Sequence, residues 1–227
     1  MRYSIVTAGK ALSDKEIDNM CDTIRQIRQE TTLSVCVSFG LLTESQFRRL
    51  KEAGVSRVHN NLETSEKHFP NICTTHTFAD KVSAIQAAQR AGLTVCSGGI
   101  MGMGETMADR IDMALSLRDL GITSVPVNVL NPIPGTPFGE YPTLSEAEVL
   151  RILALYRFLF PAASIRMAGG RGLLPDGGRS CFLSGANAAI TGDMLTTAGI
   201  TVQTDLQMLT ELGYEVKLDE TTDDHRH

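Results

Sequence analysis

Five cysteines are scattered along the 227 residues: Cys21, Cys36, Cys73, Cys96 and Cys181. An odd, dispersed set in a chain without a leader layout favours thiols or metal ligands over disulfides. No Cys-x-x-Cys occurs, so local spacing alone assigns no metal site. Cys21 falls inside a helical stretch and Cys181 opens an apolar segment, where a thiol ordinarily packs as a small hydrophobe. Cys73 lies in the loop Asn71-Ile-Cys-Thr-Thr and is open to a ligand role. Cys36 and Cys96 sit in short β-branched runs read as neighbouring strands, each on the face opposite the apolar residues. Packing and ligation weigh evenly for that pair.

Other polar side chains share those faces. Asn128 reads as a ligand contact or a strand-end cap. Arg166 reads as a site residue or as half of a lumenal ion pair with Glu63. His59 reads equally as a packing histidine. The segment Ser97-Gly-Gly-Ile-Met-Gly-Met-Gly-Glu-Thr lacks both the Lys-Ser/Thr end of a P-loop and the Gly-x-Gly-x-x-Gly order. It implies close backbone approach to a ligand or a neighbouring strand.

These residues need elements to hold them. Short runs at Tyr3–Thr7, Leu33–Ser38, Arg57–Leu62, Leu93–Ser97, Ser124–Leu130, Ser164–Ala168 and Ala188–Gly192 alternate with amphipathic stretches. The stretches are Asp14–Glu30, Glu44–Ala53, Phe78–Ala91, Thr106–Leu120, Ser145–Phe160 and Thr204–Leu212. Ser145-Glu-Ala-Glu has capping-box spacing, and Gly54, Gly92 and Gly121 follow three helices where a left-handed residue belongs. Strand–helix alternation at this length means parallel strands with crossover helices.

Successive strand residues face opposite ways. Val35 and Val37 oppose Ser34, Cys36 and Ser38. Val95 opposes Thr94 and Cys96. Val125, Val127 and Val129 oppose Ser124, Pro126 and Asn128. Ile165 and Met167 oppose Ser164 and Arg166. One apolar and one polar face per strand suits a barrel whose lumen takes a guest. A doubly wound sheet needs two apolar, helix-covered faces. The expected fold is α/β, an incomplete (β/α)8 TIM-type barrel lacking its first β/α unit.

The bulk properties exclude several classes. With a net charge of −5 and no basic block, nucleic acid is not an expected partner. No apolar run approaches the length of a membrane span. The N-terminus lacks a charged-then-apolar leader, so a cytoplasmic location is expected. Arg171–Arg179 reads as a mobile glycine-rich loop, and residues 218–227 as a disordered acidic tail.

Five segments together resemble the biotin synthases of the radical S-adenosylmethionine (SAM) superfamily. They are His59-Asn-Asn-Leu-Glu-Thr-Ser, Asn71-Ile-Cys-Thr-Thr-His-Thr, Val95-Cys-Ser-Gly-Gly-Ile-Met-Gly-Met-Gly-Glu-Thr, Val127-Asn-Val-Leu-Asn-Pro-Ile-Pro-Gly-Thr-Pro and Ile165-Arg-Met-Ala-Gly-Gly-Arg. Cys181-Phe-Leu-Ser-Gly-Ala-Asn-Ala resembles that family's C-terminal barrel end. The resemblance implies a partial radical SAM barrel over residues 1–217, with a biotin/thiamin-synthesis-associated C-terminal region. It implies sulfur insertion into dethiobiotin, the last step of biotin synthesis. A [4Fe-4S] cluster would cleave SAM to a 5′-deoxyadenosyl radical. An auxiliary iron–sulfur cluster, [2Fe-2S] or a variant, would supply the sulfur, and thiolates suit both clusters. It further implies a homodimer and an electron donor such as flavodoxin or ferredoxin.

By resemblance, Cys36 and Cys96 match auxiliary-cluster cysteines, and Arg166 matches that cluster's arginine ligand. Asn61 and Glu63 match positions that bind SAM or substrate. Asn128 matches a substrate- and nucleoside-contacting asparagine with Val129 and Leu130 beside it. Ile100 matches a nucleoside-pocket residue, and Lys81 replaces a family arginine.

Two departures stand out. Ser4 occupies the position of a third auxiliary-cluster cysteine, and a hydroxyl is a poorer iron ligand than a thiolate. Cys73 is an added cysteine, so a variant cluster on Cys36, Cys73 and Cys96 is expected. The family's Cys-x-x-x-Cys-x-x-Cys segment is also absent from these 227 residues. The expectation is a biotin synthase recorded without its N-terminal part. On its own it would be unable to cleave SAM and prone to self-association at an open sheet edge. The alternatives are a naturally short iron–sulfur or scaffold module, or another radical SAM enzyme similarly shortened.

Overall fold

The computed structural model describes residues 2–192 and 199–216. Eight strands and seven α-helices alternate through these residues. The strands are β1 (Arg2–Val6), β2 (Ser34–Ser38), β3 (Val55–His59), β4 (Thr94–Cys96), β5 (Gly99–Met101), β6 (Ser124–Val129), β7 (Ser164–Met167) and β8 (Ala188–Ala189). The helices are α1 (Asp14–Glu30), α2 (Glu44–Ala53), α3 (Phe78–Arg90), α4 (Met107–Asp119), α5 (Glu146–Leu159), α6 (Arg179–Leu183) and α7 (Val202–Glu211).

The helix starts follow directly from sequence. Helices α1 to α5 each open with a reciprocal capping box: Ser13/Glu16, Thr43/Gln46, Thr77/Asp80, Thr106/Asp109 and Ser145/Glu148. In each, the hydroxyl accepts an amide proton of the first turn while the partner side chain accepts from the cap, which satisfies donors the helix cannot use. Gly54 ends α2 at φ 109, and Gly92 and Gly121 follow α3 and α4 with positive φ.

All strand pairs are parallel, in the order β1-β2-β3-β4-β6-β7-β8, with β5 also paired to β6. Among the described residues the hydrogen-bonded path does not return from β8 to β1. The sheet curls into a partial barrel, as expected. The helix-facing side is the core: Val35, Val37, Val125, Val127, Ile165 and Met167 are all fully buried there. Cys36, Arg57, Cys96, Asn128 and Arg166 occupy the opposite, lumenal parity. No described helix is long and apolar enough to cross a membrane.

Several boundaries differ from the sequence reading. β3 begins at Val55, because the left-handed Gly54 turns the chain straight into the sheet, and ends at His59. Asn61 and Glu63 therefore stand beyond the strand. Glu63 has φ 72 and forms a parallel bridge with Gly99. The glycine-rich segment contains a strand, β5, that residue pattern does not reveal. Gly99 is required there, since a Cβ would stand 2.4 Å from the Glu63 carbonyl oxygen. Cys36 and Cys96 are not on neighbouring strands: β3 runs between them. Arg171–Leu173 is a 3-10 turn, and Arg171 is buried in an ion pair with Asp205 on α7 at 2.6 Å. The expected tail at 218–227 lies outside the described residues.

Candidate functional site

The sulfur-bearing residues converge within the barrel. Cys36 pairs in register with Ser4 on one side and Arg57 on the other, and Cys96 pairs with His59 and Ser124. Arg166 reaches from β7 to place Nη1 3.5 Å from Cys96 Sγ. The expected alternative, an Arg166–Glu63 ion pair, does not form among the described contacts: Glu63 instead accepts from Asn61 Nδ2 at 3.4 Å.

The two thiols differ electrostatically. Burial opposes ionisation of Cys96, but the adjoining His59 imidazole and the Arg166 guanidinium outweigh it and bring the thiol down to about 7. Burial pushes Cys36 up, and the neighbouring Cys96 adds to the rise. Arg57 lies between them, only 4% exposed. Burial lowers it first, then Arg2 and Arg166, to about 10, so it keeps its charge at neutral pH.

A second group lies at the C-terminal ends of the strands, where barrel sites are built. Asn61 Oδ1 accepts from Gly98 N at 3.1 Å. Asn128 Nδ2 donates to Gly99 O at 3.1 Å, while its Oδ1 accepts from Gly169 N at 2.9 Å. Ile100 stands beside Asn128 in register, and its amide donates to Glu63 O at 3.0 Å. Desolvation pushes the Glu63 carboxyl up, opposed by Lys81 and His59. Lys81 Nζ donates to Asn60 Oδ1 at 3.3 Å. Val129 is buried on the helix-facing side, and the Val129 and Leu130 amides donate to Gly169 O at 2.8 Å and Met101 O at 2.9 Å. Asn61, Glu63, Ile100 and Asn128 thus form one rim of side chains and backbone.

The rim is braced from outside. Glu105 Oε1 accepts from Gly102 N and from Arg110 Nε, both at 2.7 Å, deep in the protein. Ser65 Oγ donates to Asp109 Oδ1 at 2.8 Å, and His68 Nε2 meets Met103 O at 3.1 Å. These contacts tie the segment after Glu63 to the glycine-rich loop.

The remaining cysteines are separate. Cys21 and Cys181 are buried packing residues, as expected. Cys73 is half-buried, with Sγ 3.3 Å from His76 Nδ1 and 3.5 Å from Thr75 Oγ1. The structure does not bring it to Cys36 and Cys96, and no group of three or more His, Cys, Asp or Glu forms a metal cage among the described residues. Arg57 and His59 stand in register beside the two thiols, yet the sequence reading made neither a site residue. Their shared parity with Cys36 and Cys96 was the available signal.

The donor chemistry fits an iron–sulfur cluster: two enclosed thiols, one of them held near ionisation, with a guanidinium alongside.

Comparison with known proteins gives the family of the chain. Residues 1–117 match the Radical SAM superfamily model, and residues 126–215 match the Biotin and Thiamin Synthesis associated domain. The chain is 61% identical to a biotin synthase of Brachyspira hyodysenteriae, over 97% of this chain and 66% of that protein. It is 57% identical to a biotin synthase of Akkermansia muciniphila, over 96% of this chain and 68% of the relative. The chain thus spans about two thirds of the length of these curated relatives. Among solved structures, methylornithine synthase superposes with a TM-score of 0.78 at 18% identity, over 92% of this chain and 66% of that one. The [FeFe]-hydrogenase maturase HydG from Carboxydothermus hydrogenoformans gives 0.76 at 19% identity, over 94% and 55%. Those two likenesses speak to fold alone. From its sequence identity and domain matches, this chain belongs to the biotin synthase family of the radical SAM superfamily.

Proposed function

We propose that the chain carries the sulfur-insertion site and substrate rim of a biotin synthase acting on dethiobiotin. The observation that carries the reading is the meeting of Cys36, Cys96 and Arg166 in one lumen, directly below the Asn61–Glu63–Asn128 rim. Bound there, an auxiliary iron–sulfur cluster supplies the sulfur atom for insertion. Cys36 and Cys96 would be its thiolate ligands, and Arg166 would stand at the arginine-ligand position that the family resemblance assigns it. The depressed Cys96 thiol is ready to ligate, because the thiolate rather than the thiol binds metal. Ser4, in register with Cys36, is a hydroxyl where a further thiolate would bind more tightly.

The rim residues handle the organic partners. Asn61, Asn128 and the Ile100 backbone offer directional donors and acceptors to SAM and substrate. Glu63 and Lys81 add opposite charges suited to polar groups of those ligands. The apolar Ile100 side chain offers a surface for a nucleoside base.

The same family reading carries a cytoplasmic location, a homodimer and an electron donor of the flavodoxin or ferredoxin type. Its [4Fe-4S] cluster belongs with a Cys-x-x-x-Cys-x-x-Cys segment, which these 227 residues do not contain.

Anaerobic reconstitution with ferrous iron and sulfide tests the site. The wild-type chain should retain iron and sulfide after desalting, and Cys36→Ala and Cys96→Ala should each lose most of it. Cys73→Ala should retain it. Iron lost from Cys73→Ala would restore Cys73 to the ligand set expected from sequence, and iron retained by Cys96→Ala would overturn the site.

A further inference from the structure

Arg57 is a buried guanidinium to which the sulfur site, as described so far, gives no role. Its strand separates the two thiol-bearing strands. Arg57 is the register partner of Cys36 on β2 and of Thr94 on β4, two residues before Cys96 on the same face. Cys36, Cys96, Arg2 and Arg166 all act on it electrostatically. Arg2 shares the lumenal parity through its pairing with Ser34, and its Nε is enclosed without a hydrogen-bond acceptor among the described residues. The chain as a whole carries −5, yet this end of the lumen concentrates guanidinium groups. Charges in a low-dielectric interior act on one another more strongly than in water, so a guanidinium set in register between two thiols bears on any charge those thiols hold. Arginine resists deprotonation even there.

We propose that Arg57 is a positioning residue whose positive charge balances an anionic iron–sulfur cluster held by Cys36 and Cys96, and so raises that cluster's reduction potential. The inference rests on the cluster reading above. Reduction adds one electron to the cluster and makes it more negative, with no bond made or broken. A fixed cation beside the cluster stabilises the reduced form more than the oxidised one. Net charge around a cluster is a recognised determinant of its potential.

The test uses the full chain, reconstituted anaerobically and titrated with dithionite while visible absorbance is followed. Arg57→Gln should load iron and show a midpoint shifted to lower potential than wild type. Arg57→Lys, which keeps the charge, should restore the midpoint most of the way. Equal midpoints for wild type and Arg57→Gln would overturn the inference while leaving the cluster reading intact. If Arg57→Gln fails to load or fold, Arg57→Lys decides. Loading with a near wild-type midpoint supports a charge role, and failure of both variants overturns it in favour of a packing role. A wild-type chain that binds no iron removes the cluster reading and this inference with it.

Discussion

The Arg166 guanidinium comes within 3.5 Å of Cys96 Sγ although β6 runs between their strands. The contact exists because the sheet curls: side chains of like parity on non-adjacent strands converge only on the concave face. It gives Cys96 a cationic neighbour within reach of its sulfur.

Cys96 should ionise well below an ordinary thiol. Its value near 7 lies under the usual 9.0, so the ionised form favours the folded state. That contribution is fully present above pH 9 and is lost as the pH falls toward 7. In cluster-free protein, ultraviolet thiolate absorbance should rise through a step near pH 7, and Arg166→Gln should move the step upward. A wild-type titration with no thiolate until the ordinary range would contradict this assignment.

Asn128 links the glycine-rich loop to the turn after β7 through two backbone partners, Gly99 O and Gly169 N. Asn128→Ala leaves both groups without that side chain and should cost roughly 1–3 kcal/mol in denaturant unfolding. It should also weaken SAM binding in calorimetry of a SAM-binding form. Unchanged stability would mean that water replaces the amide at no cost.

The Glu105–Arg110 pair is nearly sealed from solvent, with side chains 2% and 6% exposed. Arg110→Met strands the carboxylate beneath the loop and should cost about 3–5 kcal/mol. Glu105→Gln combined with Arg110→Met should cost less than Arg110→Met alone, because the orphaned charge is removed. Thermal unfolding of the single and double variants measures the difference, and additive losses would refute the coupling.

Asp109 caps α4 through Thr106 and also accepts from Ser65, and these bonds lower it from 3.8 to about 2. Its contribution is present above about pH 4 and disappears as the pH falls through about 2. Asp109→Ala should lose about 1–2 kcal/mol near neutrality, in line with a lost cap. The gap between variant and wild type should close in acid-unfolding curves below pH 4. A constant gap across that range would assign the loss to packing instead.

Much of the frame was legible from residue patterns. Valine alternation on β2 and β6 located the buried face, and Ser145 with Glu148 three residues on marked the start of α5. Both signals are local, set by side-chain parity and by the amide donors of a first helical turn. β5 was hidden because Gly-Gly-Ile-Met has no alternation. It is a strand only because glycine lets Glu63 O approach. The end of β3 was misread because Asn60 to Glu63 are bonded to the β4–β5 segment rather than shaped by their own propensity.

The sequence by itself determined which residues can serve the lumen: Cys36, Cys96, Asn128 and Arg166 share one parity, and parity is fixed by the two-residue period of an extended chain. It left undecided which of them meet. Only the tertiary structure placed Arg57 and β3 between the two thiols, brought Arg166 to Cys96, and left Cys73 with His76 in a separate loop. Those relations depend on strand order, curl and register, which arise from contacts between residues far apart in sequence and leave no mark in any single segment.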